Sequence, residues 1–318
     1  MGLDEQAYLG ANISILCRDA NCIVYQVNDE SGEGVMTHYE IFPGIVLLFN
    51  DFHLRQCYSQ FRPGADILCI DHCREGRIEW ELDHSTCVYV EAGDININTR
   101  EQHERNFHFP LQHYHGLTIG IVLEEAVASL SNVLNGFPVD LYAVREQFCH
   151  GSRPFIARAF NTIDYSFADL YAVLPNHLRQ HYYQVKILEL LLRLSTLQVQ
   201  RTDVVSQYFY KTQIEKVKAI MAFITANPQI HYTLNELSTH FQMPLTSMNQ
   251  CFKGVYGTSI YAYMREFRMN AAALELRQTD DKVADIAARL GYDNASKFAA
   301  AFKSVVGLTP VEYRKSIG

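Results

Sequence analysis

The chain has 318 residues, 48% of them hydrophobic and 19% charged, with no low-complexity tract; this predicts about two domains with cores of their own and excludes a largely disordered chain. No apolar run approaches the roughly 18 to 20 residues of a membrane span, and the opening MGLDEQAYLG lacks the basic-then-apolar texture of a secretory signal, so a cytoplasmic protein is expected. The net charge of −8 argues against nucleic acid for the chain as a whole, but residues 211–318 hold 13 Lys+Arg against 9 Asp+Glu (+4), leaving −12 in front of them. Only the back third suits a polyanion.

Up to about residue 122, short β-rich runs follow one another: Cys22–Val27, Ile45–Phe49, Ile67–Ile70, Cys87–Val90 and Leu117–Leu123. Turn signals separate them at Pro43-Gly44, Pro63-Gly64, Glu75-Gly76 and Ala92-Gly93-Asp94, the spacing of an all-β sandwich or barrel. Arg77–Leu82 alternates, with Ile78, Trp80 and Leu82 on one face and Arg77, Glu79 and Glu81 on the other. The eight cysteines include no Cys-x-x-Cys pair and are expected to be thiols.

Helical periodicity takes over after residue 122. Glu124–Asn135 and Val139–Cys149 read as helices, and His177–Gln200 as the strongest, with Leu178, Tyr182, Val185, Leu188, Leu192 and Ser195 on one stripe. Leu190, Leu191, Leu194 and Leu197 widen that stripe, which suits either a core or a partner helix. Thr202–Lys211 lacks periodicity and reads as a linker.

The back third contains an internal repeat. Phe252, Lys253, Val255 and Gly257 recur 50 residues on as Phe302, Lys303, Val305 and Gly307, and Tyr263 recurs as Tyr313; upstream, Leu234, Leu237 and Phe241 recur 49 residues on as Val283, Ile286 and Leu290. Each copy reads as helix, tight turn, helix. In the first, Thr233-x-x-Glu236 is a capping box, Gln242-Met-Pro244 breaks the helix, and Leu245–Tyr256 ends at Gly257. In the second, Lys282–Leu290 stops at Gly291, Ala295–Val306 stops at Gly307, and Thr309-Pro310-x-Glu312 opens a final helix. Ser259–Arg277, without glycine or proline, is one helix between them. Two such units reading one face of B-DNA need a spacing of about 34 Å, which a rigid helix can hold.

These residues carry a resemblance. Tyr263–Ala272, Ile286-Ala287, Gly291-Tyr292, Phe298, Phe302-Lys303, Gly307, Thr309-Pro310 and Tyr313-Arg314 resemble the DNA-binding domain of AraC/XylS transcription regulators over residues 212–318. The resemblance implies an α+β multidomain chain: a cupin-like β-barrel sensor domain (residues 1–122), a helical dimerisation segment (123–201), a linker (202–211) and an all-α DNA-binding domain of two helix-turn-helix units joined by a linker helix. Residues 64–122 resemble, more loosely, the pyochelin-responsive subgroup. The implied partners are double-stranded DNA, a small-molecule effector, a second copy of the chain and RNA polymerase.

With Met248 and Phe298 inward, Thr246, Asn249 and Gln250 face outward on the first recognition helix, and Ser296, Ala299 and Ala300 on the second. Asn and Gln can pair adenine and the threonine methyl can touch thymine, so the first unit, with Ser247 and Lys253 alongside, is expected to supply most base readout. Asn294, Ser296, Lys297 and Lys303, around Ala300, are expected to grip phosphates. The family places an arginine at Arg268 as an internal tie, so an ion pair is expected there.

In the front half, Trp80, Tyr89, Phe107 and Phe109, with Tyr114, His113 and His115, are the candidate ligand contacts; the aromatic share suits an apolar or aromatic effector. Leu178, Tyr182, Val185, Leu188 and Leu192 are the dimerisation candidates. His113-x-His115 puts two imidazoles on one strand face, but the carboxylate of a cupin metal site does not follow, the next being Glu124, so neither metal nor other cofactor is expected. No catalytic constellation stands out, and an enzyme is not expected. Two alternatives stay open: a metal-dependent cupin enzyme fused to a DNA-binding tail, and an effector-independent regulator.

Overall fold

The computed structural model describes residues 12–19, 22–62, 64–101, 103–134, 136–149, 154–158, 161–172, 174–197 and 208–317. The chain divides into two compact units, Met1–Tyr208 and Phe209–Gly318.

The front unit is a curled antiparallel sheet backed by helices. Its strands are β1 (Ile13–Arg18), β2 (Ile23–Asp29), β3 (Gly32–Phe42), β4 (Ile45–His53), β5 (Gln56–Ser59), β6 (Ile67–Glu81), β7 (Thr86–Glu91), β8 (Asp94–Asn98), β9 (Arg105–His108) and β10 (Tyr114–Val122). The main path runs β1-β2-β3-β4-β10-β6-β7. The helices are α1 (Leu123–Leu134), α2 (Leu141–Phe148), α3 (Asn161–Leu170) and α4 (Asn176–Thr196), with β11 (Phe155–Arg158) between α2 and α3.

Three features differ from expectation. Glu75-Gly76 is not a turn between strands: β6 runs through it, pairing with β10 on one side of Gly76 and with β7 beyond it. Gly76 sits at φ +82°, and a Cβ there would lie 2.0 Å from the His113 carbonyl oxygen, so the glycine lets one strand bend between two partners. Next, β11 interrupts the stretch read as helical and pairs with β8; four residues are too few for a local period to show. Finally, the polar face of Arg77–Leu82 is not solvated. Arg77 and Glu79 are buried, and the Arg77 guanidinium is paired with Glu91.

Alternation gives the sheet two apolar faces. One carries Leu47, Leu68, Ile70, Ile97, Leu117 and Ile119 against the helices. The other encloses Val27, Phe52, Cys73, Trp80, Val88, Phe107, Phe109 and Tyr114. Helix α4 buries Tyr183, Ile187, Leu190, Leu191 and Leu194. Leu190, Leu191 and Leu194, which widened its stripe in the sequence, are therefore in the core with Leu197 half-buried against it, and the stripe itself lies outside or at the margin: Leu178, Val185 and Leu192 are exposed, and Tyr182 and Leu188 half-buried. The end of the predicted helix, residues 198–200, and residues 202–207 of the predicted linker lie outside the described residues.

The back unit is helical: α5 (Lys211–Ala226), α6 (Leu234–His240), α7 (Leu245–Tyr256), α8 (Ile260–Gln278), α9 (Val283–Arg289), α10 (Ala295–Val306) and α11 (Pro310–Ile317). Thr233 closes the capping box on α6, and Gly257 and Gly307 end α7 and α10 at φ 79° and 88°. Among the described residues, no helix is long and apolar enough to cross a membrane.

Candidate nucleic-acid interface and front-unit contacts

Each half of the back unit is built on the same inward side chains. Met248 and Phe252 of α7, and Phe298 and Phe302 of α10, are fully buried. That fixes the rotation of both helices and brings a second stripe to the surface. On α7 it is Thr246, Gln250 and Lys253, all exposed, flanked by half-buried Ser247 and Asn249. On α10 it is Ser296, Ala300 and Lys303, exposed, with Lys297 exposed beside them and Ala299 half-buried. The predicted DNA-facing residues thus fall in one group per helix. Asn294 differs from the others in that its Oδ1 accepts the Lys297 amide at 3.0 Å and caps α10, so that oxygen is already used.

Between the two units, α8 has 19 residues and so spans roughly 28 Å at 1.5 Å per residue. Its Arg268 is 5% exposed. The guanidinium donates from Nε to the Pro228 carbonyl at 2.6 Å and from Nη2 to the Ile230 carbonyl at 2.9 Å. It is an internal tie as expected, made to backbone carbonyls where an ion pair had been foreseen: α8 runs under the α5–α6 connection, where carbonyls are the nearest acceptors. His231 extends the tie. Its Nε2 lies 2.8 Å from the Gly291 carbonyl, which can only accept, so Nε2 carries the proton and Nδ1 faces Arg268 Nη1 at 3.4 Å. The turn of the second unit is thereby coupled to α8.

A family profile described as a helix-turn-helix domain matches residues 237–316, within which both turns and α8 lie. The back unit is an AraC/XylS-type helix-turn-helix domain. The chain is 30% identical over 101 residues to the HTH-type transcriptional activator RhaR of Yersinia pseudotuberculosis serotype O:1b (strain IP 31758), a match covering 32% of this chain and 35% of the relative. The C-terminal domain of AraT, a response regulator from Geobacillus stearothermophilus, is 27% identical, with 32% of this chain and 84% of that one covered and a TM-score of 0.31. ToxT from Vibrio cholerae O395 bound to (E)-4-(8-methylnaphthalen-1-yl)but-3-enoic acid is 9% identical, covering 86% and 99% at a TM-score of 0.29. The chain spans about a third of the length of the curated relatives it matches. The matched residues take in α7, α8 with Arg268, and α10.

In the front unit, the predicted ligand contacts divide. Trp80, Phe107 and Phe109 lie together inside the sheet, with Trp80 and Phe107 ring centroids 5.9 Å apart and Phe109 5.9 Å from Tyr114. Tyr89 is buried, but its neighbours Val88 and Val90 are the ones that join that cluster, so it points the other way. His113 and His115 are on the opposite, helix-side face, His115 standing 5.7 Å from the Tyr171 ring. They are not brought to the aromatic cluster.

A polar network beside that cluster escaped the sequence reading. Asp71 of β6 accepts from Asn96 Nδ2 at 2.9 Å, Asn98 Nδ2 at 3.1 Å, Thr118 Oγ1 at 2.8 Å and Arg100 Nη2 at 2.5 Å. The signal was present in Asp94-Ile-Asn-Ile-Asn98, whose isoleucines face the helices while Asn96 and Asn98 face inward. On the helix side, a cleft of about 350 Å³ is lined by His72, Arg74, Gly93, Asp164, Ala168, Tyr171 and Ala172. Burial pushes the His72 imidazole down to about 4, so it is neutral at physiological pH.

Proposed function

We propose that this protein is a ligand-responsive, sequence-specific DNA-binding regulator of transcription that acts as a dimer in the cytoplasm. The observation that carries the reading is the pair of recognition helices, each with a buried Phe or Met–Phe spine and an exposed polar stripe, held apart by α8. Thr246, Asn249 and Gln250 would read bases, with Ser247 and Lys253 beside them; Ser296, Lys297, Lys303 and the Asn294 amide group would hold phosphates around Ala300.

The front unit would serve as a cupin-like sensor. Its ligand would lie against Trp80, Phe107 and Phe109, with the Asp71–Arg100 network offering polar contacts, which suits an aromatic or apolar molecule bearing one polar end. Tyr89, His113 and His115, which face away from that cluster, are not proposed as contacts. Leu178, Val185 and Leu192 recur every seven residues, are exposed, and have half-buried Tyr182 and Leu188 alongside. Such a spacing suits the seam of a helix pair, so a second copy would pack there, and effector binding would shift the relative placement of the two DNA-binding domains. RNA polymerase is the partner expected downstream.

The test is selection of DNA sites by the full-length protein, at stated salt, with and without a small-molecule extract of the cells. Enrichment of two half-sites about one helical turn apart, with an affinity that changes with extract, is the expected outcome. Failure to enrich any sequence in either condition overturns the reading. In parallel, Val185→Asp should convert a dimer into a monomer by sedimentation; a surviving dimer removes α4 from the interface.

A further inference from the structure

On the helix-side face of the front sheet, the end of β4 and the start of β10 meet the middle of β6 with polar side chains. Strand pairing places His115 opposite Asp51 on one side and Glu75 on the other. Because neighbours two apart share a face, Asp51 and His53 of β4 stand beside His113 and His115, with Glu75 across from them. None of these side chains joins either apolar cluster. Asp51 and His53 are exposed and His113 half-buried.

The distances suit an ion. The donor atoms of Asp51, His53 and His113 lie within 4.8 Å of one another, with His53 Nε2 3.1 Å from Asp51 Oδ1 and the His53 and His113 rings 5.0 Å apart. Ligand atoms each about 2.1 Å from a tetrahedral centre stand roughly 3.4 Å from one another, so small side-chain rotations close the set. Glu75 Oε2 is 3.6 Å from His113 Nε2, while its other oxygen faces Arg74. Two imidazoles and a carboxylate, with no thiolate in the set, favour first-row divalent ions over magnesium or calcium.

We propose that Asp51, His53 and His113 form a binding site for a first-row divalent metal cation on the helix-side face of the front sheet, with Glu75 in reach as a further oxygen donor. The sequence hides it because the carboxylate that a downstream motif search misses comes from β4, which only the fold sets beside β10. The site is on the face opposite Trp80 and Phe107, so it is separate from that aromatic cluster and does not depend on the regulatory reading. A cation held there would tie the end of β4 to the start of β10 and raise the stability of the front unit by mass action.

The test is a Co²⁺ titration of the metal-stripped full-length protein, followed by visible absorption and equilibrium dialysis, with Zn²⁺ as competitor. One Co²⁺ per chain is expected, displaced by Zn²⁺, without the near-ultraviolet thiolate band that a cysteine ligand would add. His53→Ala and His113→Ala should each weaken binding more than about 100-fold, since even outer-shell partners are worth 10- to 100-fold. Asp51→Asn, nearly isosteric, tests the same set should an alanine variant misfold, and His108→Ala on β9 should bind as the parent does. Saturating Zn²⁺ should raise the melting temperature of the parent and leave that of His113→Ala unchanged. Binding that survives in His53→Ala, His113→Ala and Asp51→Asn, a thiolate band, or no binding by the parent overturns the proposal.

Discussion

In the first helix-turn-helix copy, the recognition helix α7 buries Met248, Cys251, Phe252, Val255 and Tyr256; in the second, α10 buries only Phe298 and Phe302, with Ala301, Val305 and Val306 half-exposed. The inward skeleton repeats because packing against α8 requires it. Much of the rest has diverged. The first helix is enclosed by both α5 and α8, the second by α8 and the short α11. The first exposes Gln250 where the second exposes Ala300. One copy is thus deeply seated and presents an amide, the other is lightly seated and presents alanine between its serine and lysines. The difference teaches that duplicated units keep what holds them and vary what they touch.

The sharpest way to break this comparison is to empty equivalent core positions. Phe252→Ala and Phe302→Ala both remove fully buried rings and should cost about 3–5 kcal/mol each. Phe252→Ala should lie at the upper end, since its enclosed neighbours can collapse less readily into the cavity. Denaturant unfolding of the full chain, followed by signals from the back unit, measures both. A larger loss at Phe302 would mean that the second copy is the better packed one.

The turns come next. Residue 291 and its counterpart 242 both lie at positive φ, Gly291 at 81° and Gln242 at 48°. A Cβ on Gly291 would meet the Gln229 carbonyl oxygen at 2.4 Å and His231 Nε2 at 2.9 Å, whereas Gln242 is exposed. Gly291→Ala should therefore cost about 2–3 kcal/mol from left-handed strain and overpacking, and Gln242→Ala less than about 0.5 kcal/mol. Equal costs would mean that the His231–Gly291 contact does not hold the second turn.

How much of this was legible in the sequence depends on whether the information was local. Helix bounds at 245–256 and 295–306, the glycine stops and both capping motifs are set by neighbours in the chain, and they read correctly. The bend at Gly76 did not, because a glycine that ends one pairing and begins another looks like a turn until the partner strands are known. The seating of α4 stayed open for a related reason: it is apolar over most of its circumference, so periodicity named a stripe that suited either a core or a partner helix, and only the sheet decides that Leu190, Leu191 and Leu194 go inward. Asp71 with Arg100, and Asp51 with His113, are contacts across strands far apart in sequence, which no window along the chain can show.

On DNA, the comparison becomes a difference of kind. Gln250→Ala should lose about 1–3 kcal/mol on the selected site and relax the base preference beneath it. Lys303→Ala should weaken all sequences alike and lower the salt slope by about 1. Binding titrations on selected and scrambled sites at several salt concentrations separate the two behaviours. If Lys303→Ala changes base preference, the second copy also reads sequence.

The smallest expected effect concerns one motif that the back unit uses at two different places, Thr233 opening α6 and Thr309 opening α11. The Thr233 amide and hydroxyl donate to Glu236 Oε2 at 2.7 and 2.9 Å, and those of Thr309 donate to Glu312 Oε2 at 2.8 and 2.7 Å. Each hydroxyl in turn accepts the glutamate amide, at 3.2 and 3.3 Å. Thr233→Ala and Thr309→Ala should each cost about 1 kcal/mol. The backbone and hydroxyl hydrogen bonds hold both glutamates below the ordinary value of 4.5, so the native state binds fewer protons than the unfolded one. The cap contribution is then present above pH 4.5 and fades as pH falls through the lower native value. Thermal unfolding between pH 5.5 and 3.5 should show each alanine variant losing less stability over that window than the parent, by the same amount in both. Unequal losses would mean that α6, inside the first unit, and α11, at the end of the described chain, draw differently on the same motif.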